Sequence, residues 1–79
     1  MPAAAEDAGM GGGAEKRSLT IQGHRTSISL EPVFWQALQD AAAEEERPLA
    51  DLVAQIDEAR TTNLSSAIRV WLFERERAG

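Results

Sequence analysis

The chain has 79 residues, 43% of them apolar and 27% charged, with two Trp, two Phe, one His, no Cys and a formal net charge of -5. A single small domain of this size has a marginal core, and with no disulfide and no set of metal ligands the remaining source of stability is a second subunit. No apolar run approaches the ~20 residues of a membrane span, and the acidic, glycine-containing start lacks the basic-then-apolar order of a signal peptide, so the expectation is a cytoplasmic protein with no membrane association.

Residues 1–16, MPAAAEDAGMGGGAEK, hold no large apolar side chain except Met10 and cannot offset their ordering entropy by burial. They read as a disordered tail, with the ordered domain over 17–79. Gly9 to Gly13 do not make a phosphate loop, since Lys16 does not directly follow a glycine and no Ser or Thr follows it.

Arg25 to Leu30, RTSISL, alternates strictly: Thr26, Ile28 and Leu30 on one side, Arg25, Ser27 and Ser29 on the other. That is a strand with one buried face. The preceding RSLTI (17–21) alternates too, and either extends this strand or folds against it as an edge, with Gly23 permitting a bulge or turn. Pro32 suits the first turn of a helix, which predicts a first helix from Pro32 to about Glu46 with Phe34, Ala37, Leu38, Ala41 and Ala42 inward and Trp35 at the margin. Pro48 ends it. A second helix, Leu49 to about Ala59, stripes Leu49, Leu52, Val53 and Ile56. A third, about Leu64 to Arg77 and capped by Thr62 or Asn63, carries Leu64, Ala67, Ile68, Trp71 and Leu72, with Val70 and Phe73 widening the apolar face.

One strand leaves both its edges unpaired. Pairing it antiparallel with the same strand of a second chain satisfies one edge and places Ile28, Leu30, Phe34, Leu38, Leu52, Val53, Ile56, Ile68, Trp71 and Leu72 in a shared dimer core. The expected fold is therefore mostly α with one short strand, an intertwined homodimer with a two-stranded antiparallel ribbon and an additional C-terminal helix.

The strand RTSISL, the helix opening at Glu31–Pro32 and the amphipathic helix after it resemble a ribbon-helix-helix domain, the fold of small dimeric bacterial and phage repressors. HRTSISLEPVFWQAL together with NLSSAIRVWLFE is similar to a compact bacterial subgroup of that family, and the likeness covers about residues 17–77. It implies a homodimeric, sequence-specific regulator of transcription, a repressor whose ribbon enters the major groove of double-stranded DNA. Carried over, Arg25, Ser27 and Ser29 would contact bases. The family also binds phosphate at the N-terminus of its second helix, and there this chain departs from the pattern. Pro48 brings no N–H and no cap oxygen, Asp51 brings a negative charge, and Glu46–Arg47 stand where a glycine and an apolar residue are common. Arg47, with Lys16 and Arg17 from the tail, is the candidate for phosphate contact.

The charge is blocked in a way that favours this reading. Lys16 to Leu30 carries three cations and no acid, whereas Asp40 to Glu58 carries seven acids against Arg47. A solvated strand face is the plain alternative for Arg25, Ser27 and Ser29. The competing function is a protein-interaction module, antitoxin-like or an adaptor, docking a protein partner through the acidic helices or the third helix. Ser65, Ser66 and Arg69 offer a second anion site, although a capped helix completing the core explains them more simply. His24 has no spaced partner for a metal, and no nucleophile, base and orienting group come together, so neither an enzyme nor a cofactor is expected.

Overall fold

A computed structural model describes residues 13–78; positions 1–12 of the expected tail lie outside the described residues. Strand β1 spans Glu15–Ile21 and strand β2 His24–Leu30. They pair antiparallel within one chain, from Glu15 opposite Leu30 to Ile21 opposite His24. This corrects the sequence reading in two respects. Glu15 and Lys16 belong to a strand and not to the tail, and the ribbon is completed by the chain's own β1, so β2 needs no second copy for its partner.

The physical reason lies in two residues. Gln22 (φ 52°) and Gly23 (φ 83°) both have positive φ, as a two-residue type I′ hairpin turn demands. A Cβ on Gly23 would meet nothing within 4 Å, so glycine is there for its backbone and not for room. Gln22, a less usual residue for this conformation than Asn, is long enough for its Nε2 to donate to Glu58 Oε2 at 2.8 Å, which ties the turn to the second helix.

Helix α1 spans Pro32–Glu44, α2 Leu49–Ala59 and α3 Leu64–Ala78. Glu31, still extended, turns the chain into α1 and its carbonyl accepts the N–H groups of Phe34 and Trp35 at 2.8 and 3.1 Å. The helix ends two residues before the expected Glu46. The N–H of Glu46 reaches Ala43 O and the N–H of Arg47 reaches Ala42 O, with Glu46 left-handed at φ 56°. This is the Schellman ending, which normally takes glycine at that position. At the start of α3, Asn63 Oδ1 accepts the N–H of Ser66 at 2.9 Å, so Asn63 is the cap.

The helices lie on one face of the ribbon and close a core of Ile21, Ile28, Leu30, Trp35, Leu38, Ala41, Ala42, Leu52, Val53, Ile56, Ile68 and Leu72. Eight of the ten residues expected in a shared dimer core are thus buried inside one chain, and Phe34 and Trp71 are half-buried against it. Trp35, placed at the margin by the helical stripe, is instead among the most buried side chains, at 1% exposure. The start of β1 covers it: the indole Nε1 donates to the Glu15 carbonyl at 2.8 Å, and the Arg17 guanidinium stands 5.0 Å from the ring centroid. A helical wheel drawn without β1 cannot contain that cover.

Two substitutions test this packing. Relieving the left-handed strain with Glu46→Gly is expected to stabilise the fold by about 0.5–1 kcal/mol, a rise in Tm of roughly 2–8 °C. Trp35→Ala should cost about 3–5 kcal/mol, most of what a chain this small can lose. Thermal and urea unfolding followed by circular dichroism read both.

Candidate nucleic-acid interface

Opposed residues of an antiparallel pair share a face, so the register sorts the ribbon's side chains into two sets. Arg17, Leu19 and Ile21 lie with Thr26, Ile28 and Leu30 on the side of the helices. Lys16, Ser18 and Thr20 lie with Ser29, Ser27 and Arg25 on the other. Five of these six outer residues are exposed and Ser29 is half-buried. The face therefore carries two cations and four hydroxyls, without a carboxylate.

The expected base-contacting residues Arg25, Ser27 and Ser29 form one row of this face. Ser18, Thr20 and Lys16 form the second row beside them, at the levels of Ser27, Arg25 and Ser29 respectively. The sequence reading missed Ser18 and Thr20 because their alternation left it open whether 17–21 paired with β2 at all.

The ion pairs of the molecule decide where free positive charge remains. Arg17 bonds Glu15, Arg47 bonds Glu45, Arg60 bonds Asp57, Arg69 bonds Glu31, and Arg75 bonds both Glu44 and Glu45 at 2.7 Å. Among the described residues Lys16, Arg25 and Arg77 have no carboxylate partner. Two of those three stand on the outer face of the ribbon, and Arg77 lies 5.7 Å from the Phe73 ring near the chain's end.

The other expected phosphate contacts are placed differently. Arg17 is on the inner parity, held between Glu15 and the Trp35 ring. Arg47 is committed to the α1–α2 turn: it donates to Glu45 Oε1 at 3.2 Å, to Gln55 Oε1, and through Nη2 to the Asp51 carbonyl at 3.2 Å. The N-terminus of α2 beside it has Pro48 as its cap residue, no side-chain cap bond and Asp51 in its first turn. The alternative anion group at α3 is likewise engaged inside the protein. Ser65 Oγ donates to the Ser29 carbonyl at 2.8 Å, the Ser66 N–H is capped by Asn63, and Arg69 forms a two-pronged contact with Glu31 at 3.0 and 3.2 Å.

Ser65 and Arg69, four residues apart on one face of α3, thus fasten the last helix to the end of β2. The additional helix braces the ribbon. His24 sits exposed beside the turn, and among the described residues no group of three or more His, Cys, Asp or Glu is placed to hold a metal. No helix among them is long and apolar enough to cross a membrane.

The family model of the ribbon-helix-helix domain matches residues 14–75. The chain belongs to the ribbon-helix-helix family, a family in general of DNA-binding regulatory modules and not of enzymes. No curated protein and no solved structure matches it.

The brace at the end of the ribbon has a pH signature. The Glu31 carboxyl is held below its ordinary value of 4.5, first by its own backbone N–H and next by the Arg69 guanidinium. Its folded form thus prefers the charged state, so the stabilisation is complete above pH 4.5 and is lost as pH falls through the lowered folded value. Glu31→Gln should remove that part of the acid sensitivity, giving a shallower fall of stability below pH 4.5 than the parent chain in urea melts.

Proposed function

We propose that this protein is a sequence-specific, double-stranded DNA-binding transcriptional regulator, a cytoplasmic repressor that acts as a homodimer and lays the outer face of its β1–β2 ribbon in the major groove. The observation that carries this reading is the pair of cations, Lys16 and Arg25, that have no carboxylate partner among the described residues and stand on a face without acids, while the other cations apart from Arg77 are neutralised within the fold. A seven-residue ribbon is roughly 23 Å long, and the major groove, about 12 Å wide, admits two strands. Arg25 offers a planar donor fork to guanine O6 and N7, and Ser18, Thr20, Ser27 and Ser29 supply hydroxyls that donate or accept.

The net charge of -5 is compatible with this. The acids of α1 and α2 lie behind the ribbon, and at ~0.15 M salt charges beyond about 8 Å are largely screened. Of the three expected phosphate contacts, Lys16 alone has no carboxylate partner among the described residues, and from the outer face of the ribbon it can reach a base edge as well as a phosphate. Arg17 and Arg47 would first have to leave their partners.

A second copy has a surface to bind. Val33 is 66% and Phe73 62% exposed, and both line a groove between α1 and α3 with Phe34 and Leu72 at its base. Asp40, Glu44 and Glu76 on the same rim stand with Arg75 and Arg77 close by, a mixture of signs that suits an isologous contact. The same exposed apolar surface, next to the acidic helices, favours the second reading, a protein-interaction module docking a different chain there.

Arg25→Ala is expected to weaken binding to a selected duplex by about 1–3 kcal/mol, roughly 5- to 150-fold, and to relax preference at one position. Selection from a random duplex library at low salt that enriches no sequence would sink the DNA reading. Phe73→Asp should abolish self-association in sedimentation without unfolding the chain. A parent chain that sediments as a monomer at micromolar concentration would remove the homodimer.

A further inference from the structure

The two strands of the ribbon are a repeat at an offset of nine residues. Lys16-Arg17-Ser18-Leu19-Thr20-Ile21 and Arg25-Thr26-Ser27-Ile28-Ser29-Leu30 both run cation, polar, serine, aliphatic, hydroxyl, aliphatic. The register turns this repeat into a symmetry. Lys16 pairs with Ser29, Ser18 with Ser27 and Thr20 with Arg25. A two-fold axis through the Ser18–Ser27 pair therefore carries Lys16 onto Arg25 and Thr20 onto Ser29.

Alternation on a half-buried strand explains the aliphatic matches. It does not explain why Lys16 and Arg25, the ribbon's two cations without a carboxylate partner among the described residues, stand at equivalent corners. Nor does the core require the symmetry, since Leu19 is half-buried where its counterpart Ile28 is only 2% exposed. The outer face keeps what the inner face does not need.

Duplex DNA has local two-fold axes of its own, because its strands are antiparallel, and a symmetric ribbon can present the same chemistry to both strands. We propose that one chain of this protein reads one short inverted-repeat element. The ribbon's axis at Ser18–Ser27 coincides with the local axis of the duplex, with Arg25 on one half of the element and Lys16 on the other. This rests on the DNA-binding reading and goes beyond it: the dyad lies inside one chain and not between two. The levels of Lys16 and Arg25 are four residues apart, about 13 Å along the ribbon. That matches about four base steps at ~3.4 Å. The halves are not equivalent, because a guanidinium grips guanine O6 and N7 with two donors whereas an ammonium acts as a point donor.

The test is selection by the full chain from a duplex library with a randomised centre at low salt, run on the parent, R25A, K16A and K16R. All the changed side chains are exposed, and thermal melts confirm that each variant is folded. The parent is expected to enrich an inverted repeat of about five base pairs with one half more tightly defined. R25A should relax one half about tenfold or more and leave the other, K16A should do the reverse, and K16R should make the halves alike and tighten binding several-fold. If R25A and K16A each relax both halves equally, every residue acts in both halves, the axis lies between chains, and the proposal is overturned. It is equally overturned if K16R leaves the enriched element as asymmetric as before. Enrichment of no element in any variant removes the DNA-binding reading itself, an outcome distinct from either of these.

Discussion

Everything in this molecule depends on the pairing register set by the Gln22–Gly23 turn. A two-residue connection with both φ angles positive allows Ile21 to face His24, and from that single pair the other six follow. A slip by one residue would exchange the faces of β1, exposing Leu19 and Ile21 and turning Lys16, Ser18 and Thr20 onto the helices. With the register as it is, one side of the ribbon is aliphatic enough to carry three helices and the other is cationic and hydroxylated. The turn is held in turn by the helices, through Gln22 and Glu58.

The helical half of the fold was open to sequence reasoning because its signals are local. The Leu49, Leu52, Val53 and Ile56 stripe marked α2, and capping chemistry alone narrowed the start of α3 to Thr62 or Asn63, of which Asn63 makes the bond. What escaped was non-local. Whether 17–21 paired with β2 depended on turn geometry, and Gln at its first position is a weak advertisement for a type I′ turn. Trp35 was misplaced for the same reason, because the groups that bury it, Glu15 and Arg17, come from a strand 20 residues earlier. A backbone carbonyl as acceptor leaves no trace in the amino-acid pattern. In the candidate site, Arg25, Ser27 and Ser29 could be read from alternation, whereas the engagement of Arg47 with Gln55 and Asp51 could not, since spacing alone does not say which cation finds a partner.

The acidity of the chain takes on a definite role once the pairs are known. Glu31, Glu44, Glu45 and Asp57 bind arginines that would otherwise spread positive charge over every surface. Such pairs on a half-exposed surface contribute little stability each. Their larger effect is on the distribution of charge: among the described residues Arg17, Arg47, Arg60, Arg69 and Arg75 are neutralised, which leaves Lys16 and Arg25 on the ribbon and Arg77 at the end of α3 as the cations without a carboxylate partner. Among the described residues the carboxylates stand off the ribbon's outer face, which carries Lys16, Arg25 and four hydroxyls.

The strict separation of the two ribbon faces also bears on how such a protein can change over time. Lys16, Ser18, Thr20, Arg25 and Ser27 lie exposed on the outer face, outside the cluster that holds the chain together. Substitutions there alter the chemistry that the outer face presents at almost no cost in folding, while the inner positions are held by packing. Surface chemistry and stability are thereby uncoupled, so copies of this domain are free to diverge on that face while keeping one scaffold.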